Sequence, residues 1–147
     1  MKHDNAKVSE KIISKPQFET IEQNLLVRAP AKINLSLLIA GKRPDGFHNL
    51  ETIMTKITWY DEITIKPGSG SGIDFSCYGE HWAPNDKNNL VYRAAKLVLK
   101  KCRKNTDVHI TLNKLIPAGT GLGSASSDAA ATILGMNKYL NLKLTDE

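Results

Sequence analysis

Between Pro117 and Ser127 the chain reads Pro117-Ala118-Gly119-Thr120-Gly121-Leu122-Gly123-Ser124-Ala125-Ser126-Ser127, three alternate glycines followed by three serines. Residues of these types at this spacing can hold phosphate. Glycine opens positive φ to the backbone and has no Cβ to keep a ligand away, so successive N–H groups can turn into one concavity. The alanine-rich stretch that follows would, as a helix, add its positive dipole end and its unpaired first amides. The plainer reading is a flexible Gly/Ser turn before a helix capped by Ser124 or Ser126.

Two better-known phosphate loops do not fit. A P-loop needs G-x-x-x-x-G-K-[ST], and no lysine lies between Lys114 and Lys138. The dinucleotide fingerprint G-x-G-x-x-G needs glycine at 124, where this chain has Ser124, and no βαβ unit follows it.

The elements that must position this loop can be read from composition and periodicity. At 147 residues and 41% hydrophobic content, the chain suits one ordinary domain with a real core. Residues 1–24 mix four lysines with four acidic residues and read as a charged N-terminal arm, leaving 25–147 as the folded domain. No apolar run approaches the ~18 residues of a membrane span. Cys77 and Cys102 lie far apart without zinc-site or disulfide spacing, which fits a reducing cytoplasm. The net charge of +5 is concentrated between Asn85 and Lys114, where eight basic residues face two acidic ones. Lys100, Lys101, Arg103 and Lys104 fall at a helix C-terminus, where cations complement the dipole, so a solvated helix end is favoured over a nucleic-acid site.

Alternation at Ile33, Leu35, Leu37 and Ile39 predicts a strand with one buried face, followed by a turn at Lys42-Arg43-Pro44-Asp45-Gly46. Phe47 to Thr58 and Asp61 to Lys66 continue as a meander of strands, with a short strand near Ile73 to Tyr78. Asn89 to Cys102 carries a helical stripe, and Val108, Ile110 and Leu112 restore strand alternation. Ser126 to Leu140 predicts a helix whose inner face is Ala130, Ile133, Leu134 and Met136 to Tyr139. The implied fold is α+β, with helices on one face of a mostly antiparallel sheet.

Three blocks together carry a resemblance. They are Ala29-Pro30-Ala31-Lys32-Ile33-Asn34-Leu35, then Gly41-Lys42-Arg43-Pro44-Asp45-Gly46-Phe47-His48-Asn49-Leu50, then the glycine loop; Asn89-Leu90-Val91-Tyr92-Arg93-Ala94-Ala95 adds a fourth. The glycine loop resembles the GHMP kinases in general, and the other blocks narrow this to the 4-diphosphocytidyl-2-C-methyl-D-erythritol kinases. That resemblance runs from about Val27 to Glu147. It implies a ribosomal protein S5 domain 2-like fold and transfer of the γ-phosphoryl of ATP, with Mg²⁺, to the 2-hydroxyl of CDP-methylerythritol. Small-molecule partners are implied, with no nucleic acid and no membrane; the metal ligands and oligomeric state are left undetermined.

The same resemblance assigns residues. Lys32 matches the catalytic lysine, which would orient the acceptor hydroxyl and offset charge near the γ-phosphate. Asn34, two residues on and on the same strand face, would meet the substrate. Phe47 and His48 match an aromatic–histidine pair for the cytosine; tyrosine is commoner at the first position, and phenylalanine keeps the stacking without the hydroxyl. Asn89 and Lys114 match the adenine side, with Pro117 to Ser127 as the phosphate loop. A serine hydroxyl among Ser124, Ser126 and Ser127 would reach phosphate or Mg²⁺, and the sequence does not select one. Taken as residues alone, Lys32 and Lys114 read equally as solvated strand ends, Asn89 as a helix cap, Asn34 as an outward polar position, Phe47 as core and His48 as a turn residue. Asp128 reads as an acid placed by the helix dipole rather than as a base.

The family's catalytic aspartate, in a G-x-D-V-P-like stretch, and its second domain have no counterpart in these 147 residues. The expectation is that this polypeptide alone binds poorly, turns over little and exposes apolar surface. Other GHMP acceptors, homoserine or mevalonate, and a non-enzymatic S5-like RNA module are the alternative readings.

Overall fold

The computed structural model describes residues 17–70 and 72–145. Strands β1 (Gln17–Ile21), β2 (Asn24–Lys42), β3 (His48–Pro67) and β4 (Ile73–Gly79) precede helix α1 (Leu90–Lys101), then strand β5 (Val108–Lys114) and helix α2 (Ser124–Tyr139). They form one five-stranded sheet in the order β1-β2-β3-β5-β4, antiparallel throughout except for the parallel β4–β5 pair.

The α+β expectation holds, and period-two patterning explains it. Leu25, Val27 and Ala29 of β2, Ile63 and Ile65 of β3, and Val108, Ile110 and Leu112 of β5 are all buried and belong to one core cluster. Val91, Ala95 and Val98 of α1 and Ala131 and Met136 of α2 join that cluster. Each large aliphatic side chain so buried contributes about 1.5–3 kcal/mol. Asn89 caps α1 as its sequence position allows: its Oδ1 accepts from the Val91 N–H at 2.9 Å.

Four expectations are corrected. Residues 17–24, read as part of the charged arm, form β1 and the turn into β2; Phe18 packs against the core, with the Lys138 ammonium 5.2 Å from its ring centroid. The rest of that arm, residues 1–16, lies outside the described residues. The meander is a single strand, β3, because Trp59 and Tyr60 favour strand rather than turn.

The outer half of β2 has no buried face. Leu35, Leu37 and Ile39 are each more than half exposed, as are Leu50, Ile53 and Met54 of the facing strand β3. β1 pairs only with residues 24–28 and β5 only with residues 62–67, so residues 34–54 extend beyond the sheet as a two-stranded ribbon. Exposed apolar surface was expected, and part of it lies here.

The inner face of α2 is also displaced from the expected one. Ser124, Asp128, Ala131, Thr132, Gly135 and Met136 are buried, whereas Ala130 and Ile133 are exposed. Small and polar residues face inward because the helix sits very close to the sheet. A Cβ on Gly135 would lie 2.9 Å from both the Ile65 Cδ1 and the Val27 Cγ2. Gly135→Val is therefore expected to lower stability by about 1–2 kcal/mol, since overpacking of about 1–3 kcal/mol exceeds the ~1 kcal/mol at most recovered from removing a helical glycine. Thermal unfolding checks this, and an unchanged midpoint would contradict the close approach.

Candidate active site

The glycine loop joins β5 to α2 and has the backbone its sequence calls for. Gly119, Gly121 and Gly123 take φ of 76°, 78° and 69°, the left-handed region that side chains resist. Residues 118–121 are exposed, and the Thr120 hydroxyl donates to the Pro117 carbonyl at 3.0 Å. Gly123 is the N-cap of α2, with no side-chain cap. The cap by Ser124 or Ser126 is therefore corrected: a left-handed glycine takes that position and leaves the first amides of α2 free for an anion. Ser124 is buried, Ser126 is exposed, and the Ser127 hydroxyl donates to the Pro30 carbonyl at 2.7 Å.

Lys32 reaches the same loop. β2 shifts register against β3 between Pro30 and Lys32, and such a bulge re-aims the side chains that follow it. The Lys32 N–H donates to the Leu122 carbonyl at 2.9 Å, which fastens the strand to the loop. Its aliphatic stem lies over Gly123, where a Cβ would come within 3.1 Å of Cγ and 3.2 Å of Cε. The ammonium donates to Asn34 Oδ1 at 3.2 Å. Lys32, Asn34 and the glycine loop are thus brought together.

Phe47 and His48 are not part of that group. They are exposed at the ribbon tip, where His48 pairs with Lys42, ten residues along β2 from Lys32. At ~3.3 Å per residue this is about 30 Å for a straight ribbon. Further register shifts at Asn34/Ser36 and Ile39/Gly41 bend its course.

Lys114 and Asn89 lie on the other side of the loop, and neither is solvated. Asn89 is buried, its Nδ2 donating to the Pro84 carbonyl at 2.7 Å while Oδ1 serves the helix cap. Lys114 is 1% exposed. Its ammonium donates to Asp61 Oδ2 and, at 2.9 Å, to Asp128 Oδ2. Asp61 also accepts from the Leu115 and Ile116 N–H groups at 2.7 and 2.8 Å.

Asp128 is the residue that sequence reading misjudged. It lies beyond the first turn of α2, buried, so the dipole does not account for it. Burial, then the nearby Asp61 charge, raise its pKa to about 7 against the opposing pull of Lys114. Asp61, with three donors on it, is the better-satisfied carboxylate. The signal for two members of this cluster was available: Asp61 continues the buried row of Ile63 and Ile65, and Lys114 that of Ile110 and Leu112.

The chain is similar to known proteins. Residues 89–147 match the GHMP kinases N terminal domain. The chain is 44% identical over 125 residues to the 4-diphosphocytidyl-2-C-methyl-D-erythritol kinase of Citrifermentans bemidjiense, covering 85% of this chain and 44% of that protein. It is 46% identical over 121 residues to the Bacillus cereus enzyme of the same name, covering 82% and 42%. The chain therefore spans less than half the length of these curated relatives. Among solved structures, a 4-(cytidine 5'-diphospho)-2C-methyl-D-erythritol kinase superposes with a TM-score of 0.70 at 36% identity, covering 82% of this chain and 42% of that one. A homoserine kinase from Cytophaga hutchinsonii, at TM-score 0.66 and 22% identity, covers 88% and 39% and shares the fold.

The state of Asp128 gives a pH prediction. Its folded pKa is raised, so between about pH 4 and 7 the unfolded chain has lost a proton that the folded chain keeps, and stability falls as pH rises through that window. Asp128→Asn should flatten this fall. Urea unfolding midpoints at pH 5 and pH 8 check it; an equal pH dependence in the two proteins would contradict the assignment.

Proposed function

This chain carries the N-terminal domain of the GHMP kinases, and from that premise we propose that it forms the ATP-binding part of an enzyme that phosphorylates the 2-hydroxyl of 4-diphosphocytidyl-2-C-methyl-D-erythritol, in the non-mevalonate route to isoprenoid precursors. The observation that carries the reading is Lys32 packed over Gly123 while its backbone N–H is bonded to Leu122. That arrangement sets a cation beside an amide-lined turn, the two parts that phosphoryl transfer asks of a protein.

In this reading the N–H groups of residues 119–126 cradle the phosphates of ATP. The Lys32 ammonium offsets the charge that spreads over the γ-phosphoryl oxygens and orients the acceptor hydroxyl, and Asn34 holds the ammonium and meets the same substrate. Phe47 and His48, at the ribbon tip, take the cytosine. Asp128 is not a base here, because its Oδ2 is held by Lys114 and the residue is buried.

Magnesium accompanies ATP in this chemistry, neutralising phosphate charge. The described residues hold no group of three His, Cys, Asp or Glu side chains suited to a metal. The loop offers hydroxyls instead, which fits an ion held mainly by the nucleotide's phosphates and water, with one serine hydroxyl of the first helical turn as a further ligand. The reading also puts the protein in the cytoplasm: Cys77 and Cys102 are unpaired, and no helix among the described residues is long and apolar enough to cross a membrane.

Single-turnover transfer from labelled ATP by the enzyme of which this domain is the proposed ATP-binding part, with protein in excess, tests the proposal. CDP-methylerythritol should be phosphorylated well ahead of homoserine or mevalonate, and Lys32→Ala should slow the transfer by roughly 100-fold or more. Transfer that ignores the acceptor's identity, or that survives Lys32→Ala, would contradict it.

A further inference from the structure

Lys87, Arg93, Lys96, Lys100, Arg103 and Lys104, on α1 and the turns that flank it, are all exposed. None of the six forms an ion pair with another described residue. Two grooves of about 640 and 390 Å³ run along this face, and Lys87, Tyr92, Lys96 and Lys100 line both. Tyr92, Lys96 and Lys100 follow one another at four-residue spacing, so they stand on one line of the helix and form the ridge between the grooves.

The helix dipole explains only part of this charge. It favours cations in the last turn, which accounts for Lys100 and Lys101. Lys87 precedes the helix and Arg93 closes its first turn, the end where the dipole opposes positive charge, and no acid stands in that turn. Lys96 and Lys100, four residues apart, repel each other as well. Arg103 adds a conformational cost. It ends the helix at φ 51°, the left-handed position that glycine takes most easily, its N–H donating to the Lys100 carbonyl and that of Lys104 to the Leu99 carbonyl. An anionic partner relieves a repulsion that nothing among the described residues relieves.

The apolar content of the face selects the kind of anion. A nucleic-acid strand needs aromatic faces for its bases. The one ring in the grooves, Tyr92, is half-buried and packs T-shaped with Phe75, their centroids 6.3 Å apart. A lone phosphate would leave most of the stripe unmatched, since residues 93 to 103 span ~15 Å at 1.5 Å per residue. Leu97, 60% exposed, lies one turn from both Arg93 and Lys100 in the wall of the smaller groove. An apolar contact ringed by cations matches a protein segment in which acidic residues flank an apolar one.

We propose that the outer face of α1 docks an acidic protein segment, with carboxylates along Arg93, Lys96 and Lys100 and an apolar side chain on Leu97. Arg103 and Lys104 prolong the charged edge beyond the helix. The surface shares no residue with the glycine loop, so the inference is independent of the kinase reading.

Fluorescence anisotropy tests it, with the full chain titrated into a labelled helical peptide carrying glutamate and leucine at i, i+3 and i+4 spacing. Saturable binding is expected, weakening as salt rises and lost when glutamine replaces glutamate in the peptide. Leu97→Ser should lower affinity about fivefold or more, and Lys96→Glu combined with Lys100→Glu about tenfold or more. Arg103→Gly should weaken binding roughly two- to fivefold while the thermal midpoint holds or rises, because glycine suits the left-handed position. Failure of the acidic peptide to bind, or binding indifferent to Leu97→Ser, would overturn the inference. So would an oligouridylate of equal charge that binds more tightly than the peptide, which would assign the face to nucleic acid.

Discussion

One ammonium buried between two carboxylates ties together the parts of this domain that surround the glycine loop. Asp61 comes from β3, Lys114 from the end of β5 and Asp128 from α2, so a single cluster joins two neighbouring strands to the helix that the loop introduces. Two negative charges against one positive, all out of water, cannot be balanced by Coulombic attraction alone. Asp61 solves its part with two backbone donors from Leu115 and Ile116. Asp128 solves its part by holding its proton more tightly than an ordinary carboxyl does. Removing Lys114 would leave both acids buried without a cation, the costly way to break such a cluster.

That cluster anchors the loop at its two ends and leaves its middle open. Backbone bonds from Asp61 hold residues 115 and 116 at the entry, and Asp128 holds α2 at the exit. Between them three left-handed glycines turn the chain without side chains in the way. On the far side the bulge at Pro30–Lys32 and the bond from Ser127 to Pro30 pin β2 against the same turn. Rigid supports around a bare peptide turn are what preorganised recognition of a charged group calls for, because little has to be ordered when the ligand arrives.

Much of this was legible in the residues. Regular alternation in Ile63–Ile65 and Val108–Leu112 marks strands because one sheet face is covered by helices, and the glycines of the loop announce a backbone that only glycine adopts easily. The ribbon shows the limit of that rule. Ile33, Leu35, Leu37 and Ile39 alternate like a buried strand, yet nothing among the described residues covers the last three, since periodicity records a strand and not its neighbour. The inner face of α2 was missed for a different reason. Hydrophobicity seeks large apolar residues, whereas a helix lying this close to a sheet turns glycine, alanine, threonine and an aspartate inward. Lys114 and Asp128 were each given a solvent-side explanation because a charge is usually exposed, and the partner that makes burial tolerable is distant in sequence.

The central claim, that residues 119–126 and Lys32 together receive a triphosphate, is tested most directly by titrating the isotopically labelled chain with ATP and following its amide resonances by NMR. Saturable shifts confined to the glycine loop, the first turn of α2 and Lys32 are the result the account predicts. Shifts that instead track the basic face of α1, from Lys87 to Lys104, with the loop amides unmoved, would contradict it.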